Sequence, residues 1–448
     1  MRIYRFLIIV LVLCGFCACS GGGSSGGGIG MPPQSSPPPG QNKIAHVVII
    51  FQENRSPDNL FHGLPGADIA NSGLNSHGQV VPLVPVHLSG MLSKYDIDHR
   101  HIPAFVTEFN NGQMNGFDLA DITCPSHTCV NPTAYGYVPQ NEIAPYFTMA
   151  ERYTFADRMF QTNEGPSLPA HQYIISGTST NAPGSNLLAA ENPAYKGGNS
   201  LNCDGSPQST IAMIDPSGNE SQFLRPCFDH PTLFDLLDAK GVAWKYYVPF
   251  VGGLWNGPDA IEHIRMGADW GKVITPQTAI FNDIATGQLP AVSWVIPTGA
   301  SSDHGLSNDG SGPSWVASVV NAIGNSPYWG STAIFITWDD WGGWYDHVKP
   351  PQYNSYELGF RVPLIVISPY VKAAYVSHAQ HEFGSILHFT EEKFGLGSLG
   401  YTDARADDLA DCFNFNQPPL AFQTIPAPMR AADFMRRPLS RAPIDTDF

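Results

Sequence analysis

Four short segments carry most of the residues able to do chemistry. Two are acidic and end apolar runs: His46-Val47-Val48-Ile49-Ile50-Phe51-Gln52 leads into Glu53-Asn54-Arg55, and Ala333 to Trp338 leads into Asp339-Asp340. Carboxylates crowded together repel one another and raise each other's pKa unless a cation neutralises them, and an all-oxygen set suits a hard divalent ion. Either pair could equally cap a turn or helix after its strand. The third segment, Thr162-Asn163-Glu164-Gly165-Pro166-Ser167-Leu168-Pro169, is a tight Gly-Pro loop before a predicted helix over 170–176. Ser167 falls near the helix start, where backbone N–H groups and the dipole favour a phosphate or an alkoxide, although serine is also among the commonest helix caps. The fourth ingredient is histidine: His99 in Asp96-Ile97-Asp98-His99, His304 in Ser302-Asp303-His304-Gly305, and His347 in Trp344-Tyr345-Asp346-His347-Val348. In such polar turns an imidazole can donate a proton or hydrogen-bond a phosphoryl oxygen. His378, His381 and His388 fall on an amphipathic helix and its approach, and His381-Glu382 does not continue into H-E-x-x-H.

These residues need a scaffold that brings them together. Continuous apolar runs at 46–51, 291–296, 333–338 and 362–367 read as buried strands of a parallel type. Between them, 231–240, 314–323 and 382–394 place apolar residues at helical spacing. Strands alternating with helices predict an α/β fold, a central largely parallel or mixed sheet flanked by helices. In such sheets ligands sit at the carboxyl ends of the strands, so both acidic groups would face one crevice if their strands are parallel neighbours. Residues 63–92 and 181–226 are rich in Gly, Asn, Ser and Pro without a clear period and read as long capping loops. The folded domain is expected over 44–416, with an extended tail over 417–448 that carries no apolar face.

Only 14% of the 448 residues are charged and 43% are hydrophobic, enough apolar material for a large core. The net charge of -16 repels a phosphate backbone, which argues against nucleic acid as a partner. Arg2 and Arg5 precede an apolar run from Phe6 to Ala18, so residues 1–19 read as an export signal. Cys19-Ser20 is followed by a Gly/Ser/Pro-rich stretch over 20–43. That order fits a lipoprotein acylated at Cys19 and tethered to a membrane, with ordinary secretion as the alternative. In an oxidising compartment Cys124 with Cys129 and Cys203 with Cys227 are the natural disulfides, leaving Cys412 over.

Taken jointly, the segments resemble the bacterial phosphoesterase family of non-specific phospholipases C and metal-dependent acid phosphatases. The resemblance is carried by Glu53-Asn54-Arg55-Ser56, Gly112-Gln113-Met114-Asn115-Gly116-Phe117, Gly165-Pro166-Ser167-Leu168-Pro169, Thr337 to Val348, Arg361-Val362-Pro363 and Ser368-Pro369-Tyr370-Val371, in the family's order from Ile44 to about Phe394. It implies an alkaline phosphatase-like sandwich and one divalent metal ion held by Glu53, Asn54, Asp339, Asp340 and Ser167. Ser167 would be the nucleophile that carries the phosphoryl group, and His99 and His304, with His347 as a further candidate, would contact phosphoryl oxygens and the leaving group. Pro57, Asn59, Asn115 and Ala170 depart from the family's usual residues, which bears on substrate choice. Serine at 167 and the Asp-Asp pair look nearer to the acid phosphatases and so imply a phosphomonoesterase. A phospholipase C cleaving lipid phosphodiesters is the alternative, for which Trp341 and Trp344 could cage a quaternary ammonium. A reading of another class is a surface lipoprotein that binds a phosphorylated ligand without turning it over.

Overall fold

The computed structural model describes residues 43–89, 95–124, 129, 131–194 and 201–439. The export signal, and the tether apart from Lys43, lie outside them. Eight strands form the main sheet: β1 (His46–Gln52), β2 (Thr154–Ala156), β3 (Trp244–Tyr247), β4 (Val273–Ile274), β5 (Val292–Val295), β6 (Thr332–Trp338), β7 (Leu364–Ile367) and β8 (Tyr375–Ser377). Their spatial order is β4-β3-β5-β1-β6-β7-β2-β8. From β4 to β6 every pairing is parallel, whereas β7 is antiparallel to both β6 and β2. The sheet is therefore mixed, with a long parallel block at its centre.

β1 and β6 sit in the middle of that block, and every residue of β6 and all but the first of β1 are buried. A strand covered on both faces needs apolar side chains on both, which is why these sequences run continuously instead of alternating. Helices α1 (Ala144–Arg152) and α4 (Ala279–Ala285) each pack against α5 (Gly312–Gly324), and α2 (Ser167–Ser176) packs with α3 (Leu233–Ala239) and α6 (Phe383–Phe394). These two groups are the helical layers of the sandwich.

The capping segments hold more order than their composition suggests. Residues 63–92 include the hairpin Ser72–Leu74 with Val80–Pro82, and 181–226 contain a three-stranded sheet of Leu188–Ala189, Ile211–Ile214 and Gln222–Leu224. Ile211, Met213 and Ile214 are buried, so this sheet has a core face that its short strands hide in a sequence pattern. Disulfides join Cys124 to Cys129 and Cys203 to Cys227, and Cys412 is buried and free. The tail also departs from expectation: its described part holds a short helix, Ala431–Met435, whose Phe434 is buried edge-on against Trp315 at 5.4 Å. One aromatic supplies an anchor where periodicity showed none.

Candidate functional site

The site grows from one register. β1 and β6 are parallel with Gln52 opposite Trp338, so Glu53 and Asp339 leave the sheet side by side at its carboxyl edge. The two chain segments are then laced together. Asp339 N donates to Gln52 O (2.9 Å), Asn54 N to Asp339 Oδ1 (2.9 Å), Arg55 N to Asp340 O (2.9 Å) and Gly342 N to Asp340 Oδ1 (2.7 Å). Asn54 takes a left-handed conformation (φ 62°), which asparagine tolerates better than most residues. Gly342 is also left-handed (φ 61°), and a Cβ there would stand 2.5 Å from Asn54 O. Only glycine meets both demands.

Ser167 opens α2, with Pro166 in the N-cap position, so its hydroxyl is not spent on capping. Its Oγ donates instead to Asp340 Oδ2 at 3.4 Å. The loop before it is held by Asn163 Nδ2 and Gln161 Nε2, both donating to Gly165 O (2.8 and 3.0 Å), while Leu168 N is capped by Asn192 Oδ1 (2.8 Å). One helical turn on, His171 shares the face of Ser167. Its Nε2 lies 3.4 Å from Glu53 Oε1 and 4.0 Å from Asp339 Oδ2. His171 is absent from the expected set, and its only sequence signal is its i+4 spacing from Ser167.

Tautomers follow from the partners. The Tyr246 hydroxyl donates to Trp255 O (3.0 Å) and so accepts from His171 Nδ1 (3.4 Å), which leaves His171 Nε2 a lone pair facing two carboxylates. Burial pushes the His171 pKa down to about 4 against the pull of Asp339, so the ring is neutral. His99 donates from Nδ1 to Ile97 O (2.7 Å), its Nε2 accepts from Asn54 Nδ2 (3.0 Å), and the amide oxygen of Asn54 is thereby fixed as the other end. Asn54 Oδ1, His171 Nε2 and Asp339 Oδ2 are all buried and make no hydrogen bond among the described residues. Buried acceptors without donors are costly. The ligand atoms of Glu53, His171 and Asp339 lie within 4.8 Å of one another, so a divalent cation would give the buried acceptors there a partner, and the residues present fit the expected metal, with His171 added to the set.

His304 is brought to the same edge. Its ring lies 6.0 Å from that of His99 and 5.9 Å from that of Trp255, and its Nδ1 donates to Gly305 O (2.6 Å). Its loop is clamped at Asp303, whose carbonyl accepts from Arg55 Nε (2.9 Å) and Nη2 (2.7 Å), and whose Oδ2 accepts from Tyr146 (2.8 Å) and Trp338 (2.9 Å). Burial lifts the Asp303 carboxyl to about 6. The structure sets His347 elsewhere. Its Nδ1 pairs with Asp58 (2.8 Å) and its Nε2 with Asp68 (3.0 Å), beside the buried Arg361–Asp346 pair (2.9 Å). Burial would lower its pKa, but Asp58 and Asp346 outweigh that and hold it at about 9. With both nitrogens bound to carboxylates, His347 belongs to an ion network that ties the 58–68 segment to the 346–361 segment. Trp341 is likewise core: it is buried, and its Nε1 donates to Glu108 (2.7 Å).

A serine at a helix start beside a buried carboxylate, amide and imidazole cluster, on the carboxyl edge of a mixed sheet, defines the class as an α/β protein built to handle an oxyanion. Residues 44–397 match the model of the Phosphoesterase family, and the chain belongs to that family. It is 24% identical to a non-hemolytic phospholipase C of Pseudomonas aeruginosa, over 84% of this chain and 58% of that protein. It is also 24% identical to phospholipase C B of Mycobacterium tuberculosis, over 84% of this chain and 78% of the relative. Non-specific phospholipase C6 of Arabidopsis thaliana is 25% identical, over 88% and 77%. The chain thus spans little more than half of the Pseudomonas relative. A solved structure in the alkaline phosphatase superfamily, from Vibrio parahaemolyticus, overlaps with a TM-score of 0.38 at 10% identity, covering 81% of this chain and 70% of that one.

Proposed function

We propose that the protein hydrolyses phosphoric esters, monoesters foremost, through Ser167 as the nucleophile that transiently carries the phosphoryl group. The observation that carries this is the approach of Ser167 Oγ to Asp340 Oδ2 at 3.4 Å, next to the buried group of Glu53, His171 and Asp339 whose ligand atoms lie within 4.8 Å of one another. A bound divalent ion would neutralise the carboxylates and lower the pKa of the serine hydroxyl. Asp340 Oδ2, already the acceptor of the Ser167 proton, takes that proton as Oγ closes on phosphorus. The positive end of the α2 dipole faces the charge on the phosphoryl oxygens. His304 protonates the departing alcohol, and His99 positions the Asn54 amide. Water entering from the opposite side then attacks phosphorus and gives its proton to His304 Nε2, the P–Oγ bond breaks, and Asp340 returns its proton to Oγ as phosphate leaves.

A second reading, a phospholipase C, is favoured by the names of the relatives. Rates on p-nitrophenyl phosphate and p-nitrophenyl phosphorylcholine separate the two, and faster turnover of the diester would overturn the monoester choice. Ser167→Ala separates both from a binding lipoprotein: the enzyme reading expects wild-type turnover and none in the variant. No turnover in either, with phosphate still bound, would sink it. The two disulfides suit an exported protein, and lipid labelling of wild type against Cys19→Ser tests whether export ends in a membrane anchor.

A further inference from the structure

We propose that His101, Glu191 and Glu220 form a second divalent-cation site, oriented by Glu164 and separate from the cluster at Glu53 and Asp339. One ligand atom from each of His101, Glu191 and Glu220 lies within 4.8 Å of the other two. His101 Nδ1 contacts Glu220 Oε1, and on the far side of the ring Nε2 stands 3.4 Å from Glu164 Oε2. His347 also lies between carboxylates, but there Arg361 completes the network. The carboxylates of Glu164 and Glu191 around His101 instead keep buried oxygens that accept nothing among the described residues, and a carboxylate on the distal nitrogen is the usual outer shell of a metal-binding imidazole.

Two observations beyond the acidic cluster point to a cation. Glu164 has a side chain only 5% exposed, and its Oε1 makes no hydrogen bond among the described residues. Glu191 Oε1 accepts from Ile102 N (3.0 Å), but its buried Oε2 likewise accepts nothing there. Three carboxylates thus meet one imidazole, and the Arg100 guanidinium, bonded to Asp98 at 2.6 Å, acts on Glu191 through its field. A set of one nitrogen and carboxylate oxygens suits a borderline divalent ion of the zinc or manganese kind.

The four side chains come from four separate pieces of chain. His101 follows the His99 turn, Glu164 precedes the Ser167 loop, Glu191 adjoins the Asn192 that caps α2, and Glu220 sits in the connection between the strands Ile211–Ile214 and Gln222–Leu224. A cation here pins the capping sheet against the nucleophile loop. Its role is architectural, and it does not depend on which ester is cut.

The test is zinc stoichiometry on the full chain, stripped with chelator, re-equilibrated with Zn²⁺ and measured by mass spectrometry, with circular dichroism as a folding control. Wild type should hold two ions. Glu191→Gln and Glu220→Gln should each hold one, and Glu53→Gln combined with Asp339→Asn should also hold one. Two ions retained in both Glu191→Gln and Glu220→Gln would overturn the proposal, as would none in the Glu53/Asp339 double variant. If neither Glu191→Gln nor Glu220→Gln folds, that double variant decides alone. A single wild-type ion lost in Glu191→Gln but kept in the double variant would uphold this site and refute the one beside Ser167.

Discussion

Arg55 offers a sharp test of how the site is held. Its guanidinium is buried, donates twice to Asp303 O (2.9 and 2.7 Å) and once to Asn59 Oδ1 (3.1 Å), and lies over the Trp344 ring at 4.9 Å. Arg55→Lys keeps the charge but cannot reproduce the fork. An ammonium reaching the same carbonyl keeps one of the three bonds and loses the stacking. At about 1.5–3 kcal/mol for a hydrogen bond to a charged group, two lost bonds amount to about 3–6 kcal/mol before the lysine relaxes. We expect about 3 kcal/mol of destabilisation in urea unfolding after that relaxation. The kinetic effect should be larger. Arg55 fixes the carbonyl immediately before His304, and if His304 is the proton donor proposed above, a displacement of about 1 Å costs about 100-fold in rate. In steady-state assays kcat should therefore fall by about that factor while KM and bound metal stay near wild type. Lowered stability with unchanged kcat would refute the reasoning, because it would mean that the His304 loop does not need its anchor or that His304 is not used.

Three further outcomes are expected. His171→Gln should weaken metal binding by about 10-fold to 100-fold in a competition titration and lower kcat with it, and unaltered affinity would remove His171 from the ligand set. Gly342→Ala places a Cβ 2.5 Å from Asn54 O in a left-handed residue and should cost about 1–3 kcal/mol in thermal or urea unfolding, with a loss of activity from the shifted Asn54. His230 is buried, which holds its pKa down at about 4, so between its ordinary value and 4 the unfolded chain binds a proton that the folded chain refuses. Stability should then rise with pH across that window and fall as pH drops towards 4. His230→Gln should flatten the slope by about 1 kcal/mol per pH unit, and identical slopes would refute the assignment.

The parts of the molecule that were legible in the sequence are those where one physical demand acts over many consecutive residues. β1 and β6 are buried on both faces, so their apolar runs are unbroken, and the acidic residues that end them had to emerge at the carboxyl edge. Both disulfides likewise join the cysteine pairs nearest in sequence. β2 and β8 were not legible, because three residues such as Thr154-Phe155-Ala156 carry no period, and only their pairing beside β7 makes them strands. The site divides in the same way. Glu53, Asn54, Asp339, Asp340 and Ser167 stand at element ends, where composition changes abruptly and attention falls. His171 lies inside a helix buried throughout, where a histidine resembles core, and its role depends on the Tyr246 hydroxyl from β3, a strand far away in sequence. His347 shows the converse. Its turn resembles that of His304, but the aspartates that claim it, Asp58 and Asp68, come from the opposite end of the chain. Whether a histidine is free to do chemistry is decided by which carboxylates fold against it, and that is a property of the tertiary structure.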